Sequence, residues 1–303
     1  MLSITVCILS FNRAEYLREA ILSVLGQTIL PQKILIYDNG SDRSVYECIQ
    51  HLLDDWVLWI DVDVTQPYES NFQRAMNECK TQYVMMLHDD DKLCTSFIED
   101  QMELFIKNPR LVAVSCNGYV INEKGSRNGE TLTTFREIEN VEMISCSGQV
   151  ALKYASNSCI PFSPAIYRAD VAKQIMLRKE YEKVGDAVFF CDLAEIGPIA
   201  YQAKPLYECR RHSGQDSKHF DFDLLSQLEA FFWTRTCIND DEKSKLHALL
   251  LNQNMLRKSR QIANYIQSGY FRKAMNLYRD PSFSICKAIL AIYARIRQKM
   301  KQN

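Results

Sequence analysis

Tyr83-Val84-Met85-Met86-Leu87-His88-Asp89-Asp90-Asp91-Lys92-Leu93 decides how this chain reads. Its five leading apolar or aromatic residues predict a short strand buried on both faces. That strand runs straight into three consecutive carboxylates. Like charges this close cannot be buried bare, because desolvation and mutual repulsion return protons to them. Either they are fully exposed at a helix start, whose dipole favours carboxylates, or they share a divalent cation. Carboxylate oxygens suit Mg²⁺ and Mn²⁺, ions that also engage phosphates. Ligands of open parallel sheets bind beyond the carboxyl ends of the strands, where this cluster falls.

The 303 residues, 47% of them hydrophobic, suffice for one large core or two moderate ones. Lys and Arg number 36 against 37 Asp and Glu, so no nucleic-acid partner is expected. The 11 cysteines form no C-x-x-C pair and read as reduced thiols of a reducing compartment. Met1 to Ser10 has no basic start or small-residue cleavage site and reads as a first strand, not a signal peptide. No apolar run approaches the roughly 20 residues of a membrane span. A cytoplasmic protein is expected.

Upstream of the acidic stretch, Ser3 to Ser10 predicts a buried strand. Asn12 and Glu15 have capping-box spacing, and Leu17, Ala20, Ile21, Val24 and Leu25 follow at helical spacing. Lys33 to Tyr37 is a second strand, ending in the turn-rich Asp38-Asn39-Gly40-Ser41-Asp42. This strand–helix–strand unit predicts a right-handed parallel crossover. Val57 to Val62 reads as a third strand, and Asn71 to Lys80 as the helix leading back to Tyr83. Asp38 and Asp89–Asp91 then share the carboxyl edge of one sheet. Neither G-x-G-x-x-G nor G-x-x-x-x-G-K-[ST] is present, which disfavours a dinucleotide fold and excludes an ATPase phosphate loop.

Ile8-Leu9-Ser10-Phe11-Asn12-Arg13, Tyr16-Leu17 and Ser23-Val24-Leu25-Gly26-Gln27-Thr28 together resemble the opening signature of family-2 glycosyltransferases. Tyr37 to Asp42 resembles that family's next motif, and His88-Asp89-Asp90-Asp91-Lys92-Leu93 its D-x-D metal motif. The resemblance covers roughly the first third of the chain. It implies a GT-A fold, an α/β sheet of Rossmann-like, mostly parallel strands flanked by helices. It implies a nucleotide-sugar donor, UDP-linked, with Asp38 at the pyrimidine and Ser10, Asn12, Arg13, Asn71 and Asp89 at the nucleotide. Alignment on Leu87 and Leu93 sets His88 at the first Asp position, a departure from the motif, and Asp90 at the second. Asp90 and Asp91 are then metal candidates for Mn²⁺ or Mg²⁺; a one-residue shift gives the roles to Asp89 and Asp91.

Downstream, Ser96 and Glu99 have capping-box spacing before a helix to Lys107, and Leu111 to Val120 returns as a strand. Residues 121–148 fit either a flap over an acceptor or a variable insertion. Asn157 to Arg168, including Ser163, resembles the family's acceptor-pocket segment. Gly185-Asp186 opens a helix where inverting members place their catalytic base. Asp186 fits that position better than Asp192, although an Asp after Gly185 is also an ordinary N-cap. Leu206 to Ser217 resembles the family's closing Arg-Arg-His turn. It implies diphosphate contacts from Arg210 and Arg211, whose forks suit phosphate, and a metal or diphosphate contact from His212.

From Asp221 the chain reads as helices, so the expected division is 1–220 for the catalytic domain and 221–303 for a helical C-terminal region. Ser284 to Lys301 is a basic amphipathic stretch, which either packs on the core or makes peripheral contact with the inner face of a membrane. The expected activity is metal-dependent, inverting transfer of a sugar to a hydroxyl of a glycan or lipid-linked saccharide in surface-polysaccharide synthesis. The alternatives are a non-catalytic sugar-nucleotide or cation-binding protein on the same fold, and a sugar-phosphate nucleotidyltransferase.

Overall fold

The computed structural model describes residues 3–62, 64–133, 140–212, 222–235 and 237–279. The amphipathic stretch from Ser284 to Lys301 lies outside them. The described chain falls into two compact units: Met1–Tyr154 with Ser158–Cys237, and Ala155–Asn157 with Ile238–Asn303.

The first unit is built on one sheet. In chain order its strands are β1 (Ile4–Ser10), β2 (Lys33–Asp38), β3 (Val57–Ile60), β4 (Tyr83–His88), β5 (Lys92–Leu93), β6 (Ala113–Ile121), β7 (Arg127–Thr131), β8 (Val141–Ile144), β9 (Ile166–Arg168) and β10 (Ile199–Arg210). They lie in the order β3-β2-β1-β4-β9-β6-β10-β5, with β7 on β6 and β8 on β10. Pairing is parallel from β3 through β4. The three-residue β9 enters antiparallel to both β4 and β6, and β10 runs parallel to β6. The long strands therefore share one direction, and their carboxyl ends share one edge.

Helices α1 (Ala14–Leu25), α2 (Arg43–Ile49), α3 (Tyr68–Glu78), α4 (Phe97–Lys107), α5 (Ser147–Ala155), α6 (Ala169–Ala172), α7 (Gly185–Ile196) and α8 (Phe222–Trp233) complete this unit, apart from the last residue of α5. All seven residues of β1 are buried because β2 and β4 cover its edges and helices its faces. Leu17, Ala20, Ile21 and Val24 of α1 join Phe97, Ile98, Met102 and Phe105 of α4 in the core. Each such side chain contributes about 1.5–3 kcal/mol on burial.

Two polar residues on α1 and just after it fix the exit from the acidic turn. Ser23 Oγ accepts the Leu93 N–H at 3.1 Å. Buried Gln27 donates to the carbonyl of Cys94 at 2.9 Å and accepts the Ile98 N–H at 3.0 Å.

Two expected capping boxes do not form. Asn12 sits at φ 53°, a region Asn tolerates, and Arg13 takes the N-cap position of α1 without a side-chain cap. Asn12 instead accepts the Asp42 N–H at 2.8 Å and donates its own N–H to Ser41 Oγ at 2.8 Å, tying the β1 loop to the β2 loop. Ser96 Oγ donates to Asp100 at 2.7 Å while Glu99 accepts from Thr28, so neither completes a box. The 121–148 segment contributes a hairpin: β6 turns through Asn122–Ser126 into β7, and β8 pairs with β10.

The second unit is helical, with α9 (Asp240–Gln267) and α10 (Phe271–Tyr278). Leu246, Leu250 and Met255 of α9 are buried, and Gln253 donates to the Ala155 carbonyl at 2.6 Å. Among the described residues no helix is long and apolar enough to cross a membrane.

Candidate active site

The carboxyl edge of the parallel strands brings the predicted residues together in two groups. Ser10 pairs with Asp38 in the β1–β2 register and Leu9 with His88 in the β1–β4 register. Asp38 and His88 therefore flank β1, about 10 Å apart at two strand spacings.

In the first group, Asp38 is buried, and one of its oxygens accepts the N–H groups of Gly40 and Ser41 at 3.0 and 2.7 Å. Gly40 at φ 80° makes that turn, a conformation a Cβ would strain. Asn71, on α3, donates to the Tyr37 carbonyl at 3.3 Å. Ser10 Oγ and Asn71 Oδ1 are both buried and have no hydrogen-bond partner among the described residues. An unmet buried acceptor or hydroxyl destabilises by about 1–3 kcal/mol unless a ligand or water completes it.

In the second group the acidic turn is buried, with Asp89, Asp90 and Asp91 only 2, 7 and 3% exposed. Asp89 accepts the Phe11 N–H at 2.9 Å and Arg13 Nη1 at 2.9 Å. Burial pushes its carboxyl up to about 6 against the opposing pull of Arg13. Asp89 and Arg13, both expected at the nucleotide, thus also hold the β1 loop to the β4 turn. Arg13 Nη1 lies 3.5 Å from Asp90 as well.

Asp91 Oδ1 accepts the Arg210 N–H at 2.9 Å, and Tyr207 donates its hydroxyl to Asp91 Oδ2. Burial, followed by the charge of Asp90, raises the Asp91 carboxyl to about 8. Asp90 Oδ2 is 2.8 Å from His212 Nε2. Among the described residues, His88, Asp90 and Asp91 each offer one atom within 4.8 Å of the others, which is a donor set a divalent cation fits.

Tyr68, Tyr207 and Glu19 escape a reading of local spacing. Tyr68 opens α3 and its hydroxyl is 3.3 Å from His88 Nε2. Glu19 meets Arg210 Nη2 at 2.7 Å. Arg210 is completely buried. Its Nε donates to the Asp90 carbonyl at 2.8 Å, its Nη1 to the Glu123 carbonyl at 3.0 Å, and its guanidinium lies 4.4 Å from the centre of the Tyr16 ring. Arg210 braces the acidic turn, in place of the phosphate contact expected from its chemistry. Arg211 is exposed and meets Glu130 of β7 at 3.2 Å. Ser163 is buried and accepts the His88 N–H at 3.3 Å.

β6 approaches this brace closely at Gly118, opposite Tyr207. A Cβ there would lie 2.7 Å from Tyr207 Cδ1 and 3.0 Å from the Tyr207 carbonyl oxygen. Gly118→Ala is expected to destabilise by about 1–3 kcal/mol, as overpacked cores do, and to loosen Asp91 through Tyr207. A melting curve with a parallel turnover assay checks both effects.

Asp186 stands in the first turn of α7, where its Oδ1 accepts the Ala187 N–H at 2.7 Å. It lines a small cavity with Val150, Tyr154, Cys159, Ile160 and Phe190. Burial raises its carboxyl to about 6. Burial also pushes up the phenols of Tyr68 and Tyr167, with the charge of Asp186 as a lesser cause. Asp192 faces elsewhere, 2.5 Å from Arg178.

This sheet, with acids at its carboxyl edge and a further carboxylate on the helix beyond, is the GT-A glycosyltransferase fold. The crystal structure of S. aureus TarS residues 1–349 in complex with UDP-GlcNAc superposes with a TM-score of 0.61 at 14% identity, covering 84% of this chain and 73% of that one. Another S. aureus TarS structure gives 0.59 at 16%, covering 97% of this chain and 53% of that one, so this chain spans about half of its length. The UDP complex of TarS 1–349 gives 0.54 at 14%, covering 92% and 91%. No curated protein sequence matches the chain. Residues 5–176, more than half of the sequence, match the model for glycosyl transferase family 2, and the protein belongs to that family.

Proposed function

We propose that this glycosyltransferase moves a sugar from a UDP-sugar to an acceptor hydroxyl with inversion at the anomeric carbon. The observation that carries the donor reading is the pair of unmet buried oxygens, on Ser10 and Asn71, beside Asp38 at the same sheet edge as the buried acidic turn. The TarS complexes with UDP and UDP-GlcNAc support UDP as the nucleotide.

Asp38 with Ser10 and Asn71 takes the base and ribose, and Asn12 and Arg13 hold the loop that closes over them. Asp90 and Asp91, with His212 bonded to Asp90, would hold Mn²⁺ or Mg²⁺. A divalent cation there supplies neutralisation of the charge that develops on the leaving UDP. Arg211, exposed and paired with Glu130, is proposed to contact the diphosphate or acceptor, with Ser163 lining the site. Asp186 takes the proton from the acceptor hydroxyl as that oxygen attacks the anomeric carbon opposite the diphosphate. The C1–O bond to the diphosphate breaks as the new glycosidic bond forms, so no covalent enzyme intermediate is needed.

A base with its carboxyl raised to about 6 is mostly ionised at neutral pH, yet more basic than an ordinary Asp. Its cavity is lined by Val150, Tyr154, Cys159, Ile160, Ala187 and Phe190, with no Asp, Glu, Lys, Arg or His besides Asp186 itself. The acid limb of kcat/KM is therefore expected to fall below about pH 6, leaving roughly a tenth of the activity at pH 5. A limb near pH 4 would contradict the buried base.

The acceptor is proposed to be a glycan or lipid-linked saccharide of surface-polysaccharide synthesis, met by a cytoplasmic enzyme at the inner face of the membrane. Support for that contact within the described residues comes from α10, where Phe271, Met275 and Tyr278 are exposed at i, i+4 and i+7. Calorimetry of UDP with and without Mn²⁺ tests the donor site; an absence of UDP binding in both would remove it.

A further inference from the structure

Each of the three convergent donors has its own outer partner. Tyr207 donates to Asp91. His212 Nε2 lies against Asp90. Tyr68 lies against His88 Nε2 at 3.3 Å, with the two rings edge-on at 6.1 Å and 77°. The opposite nitrogen of His88, Nδ1, is 3.7 Å from Asp91 Oδ2. Metal-bound imidazoles are oriented in this way, with one nitrogen on the ion and the other N–H donated to a fixed oxygen.

We infer that His88 Nδ1 is a direct ligand of the cation assigned above, that Tyr68 selects this nitrogen by accepting the Nε2–H, and that the resulting mixed nitrogen–oxygen set favours Mn²⁺ over Mg²⁺. The inference rests on the cation reading in the proposed function and adds the identity of the third ligand and the choice of ion. Imidazole is a softer donor than carboxylate and suits transition metals, whereas Mg²⁺ is held by oxygen. A carboxylate at position 88 would give an all-oxygen set. His88 instead removes one negative charge and introduces a nitrogen. Position 88 thereby becomes a determinant of metal selectivity, and His212 becomes a positioning residue acting through Asp90.

The test uses the full chain with UDP, and Mn²⁺ and Mg²⁺ as probes. Pulsed EPR of bound Mn²⁺ reads nitrogen coupling directly, and calorimetry reads affinity. The wild-type protein is expected to show imidazole nitrogen coupling and to bind Mn²⁺ at least about tenfold more tightly than Mg²⁺. His88→Asp is expected to keep Mn²⁺, lose the nitrogen coupling and narrow the Mn²⁺/Mg²⁺ ratio. Tyr68→Phe is expected to keep the coupling and weaken Mn²⁺ about tenfold or more, the usual effect of losing an outer partner, with a smaller change for Mg²⁺. His212→Asn is expected to retain the coupling. Nitrogen coupling that survives in His88→Asp and vanishes in His212→Asn would overturn the assignment. So would Mn²⁺ bound without any nitrogen coupling, which leaves the cation reading intact. Failure of every divalent ion to bind in the presence of UDP would instead remove the cation reading itself.

Discussion

Replacing Asp186 by Asn is expected to lower sugar transfer by roughly 10²–10⁴-fold, the range attributed to a positioned general base, while UDP binding stays within about twofold. The separation follows from position. Asp186 lies on α7, at the cavity formed with Val150, Tyr154 and Ile160, whereas the proposed donor residues lie on β1, β2 and α3 and in the loops that follow β1 and β4. Asn keeps the oxygen that accepts the Ala187 N–H. The substitution should also leave the fold intact. Burial raises the Asp186 carboxyl from its ordinary 3.8 to about 6, so above that pH the charged form is less favourable in the folded chain than in the unfolded one. A neutral amide removes that term, and the melting temperature at pH 7.5 should be unchanged or higher. Transfer kinetics, UDP calorimetry and a melting curve on one preparation check all three statements. Transfer at the wild-type rate would end the base assignment.

Asp90→Ala is expected to be equally severe by a different route. Asp90 is the carboxylate that meets both His212 at 2.8 Å and Arg13 at 3.5 Å. Its removal deprives the cation of one ligand and leaves His212 without its acceptor. Electrostatic stabilisation of a leaving group is worth about 10²–10³-fold for a single well-placed donor, and the loss of a metal ligand should reach at least that. Divalent-dependent UDP binding should fall in parallel, unlike in Asp186→Asn. A calorimetric titration of UDP with and without Mn²⁺ distinguishes the two variants. Asp90→Ala with undiminished metal-dependent binding would show that Asp91 and His88 suffice.

The part of this site that lay open in the sequence is the part written locally. Tyr83 to Leu87 is apolar because β4 lies inside the sheet with its side chains buried on both faces, and the carboxylates begin where the strand ends. Asp38 follows Tyr37 for the same reason at the end of β2. What the sequence could not show is which charged groups meet across long separations. Tyr207 is 116 residues from Asp91, and Arg210 is 191 from Glu19. An Arg suited to phosphate by chemistry looks the same whether it faces a ligand or, like Arg210, is sealed behind the turn. The capping signal at Asn12 misled for a related reason: its short polar side chain serves a neighbouring loop as readily as a helix end. β7 gave no signal because all five of its residues are exposed, so no alternation marks a strand.

The central claim is that the acidic turn, Asp38 and their surroundings hold a nucleotide-sugar donor for transfer. Its most direct test is release of nucleoside diphosphate from a panel of nucleotide sugars, with Mn²⁺ and with chelator, in the wild-type protein and in Asp90→Ala. Slow transfer to water makes an acceptor unnecessary. The account predicts UDP release from at least one UDP-sugar, abolished by chelator and by Asp90→Ala. Release that persists in both would contradict it, as would the failure of every UDP-sugar to bind or turn over.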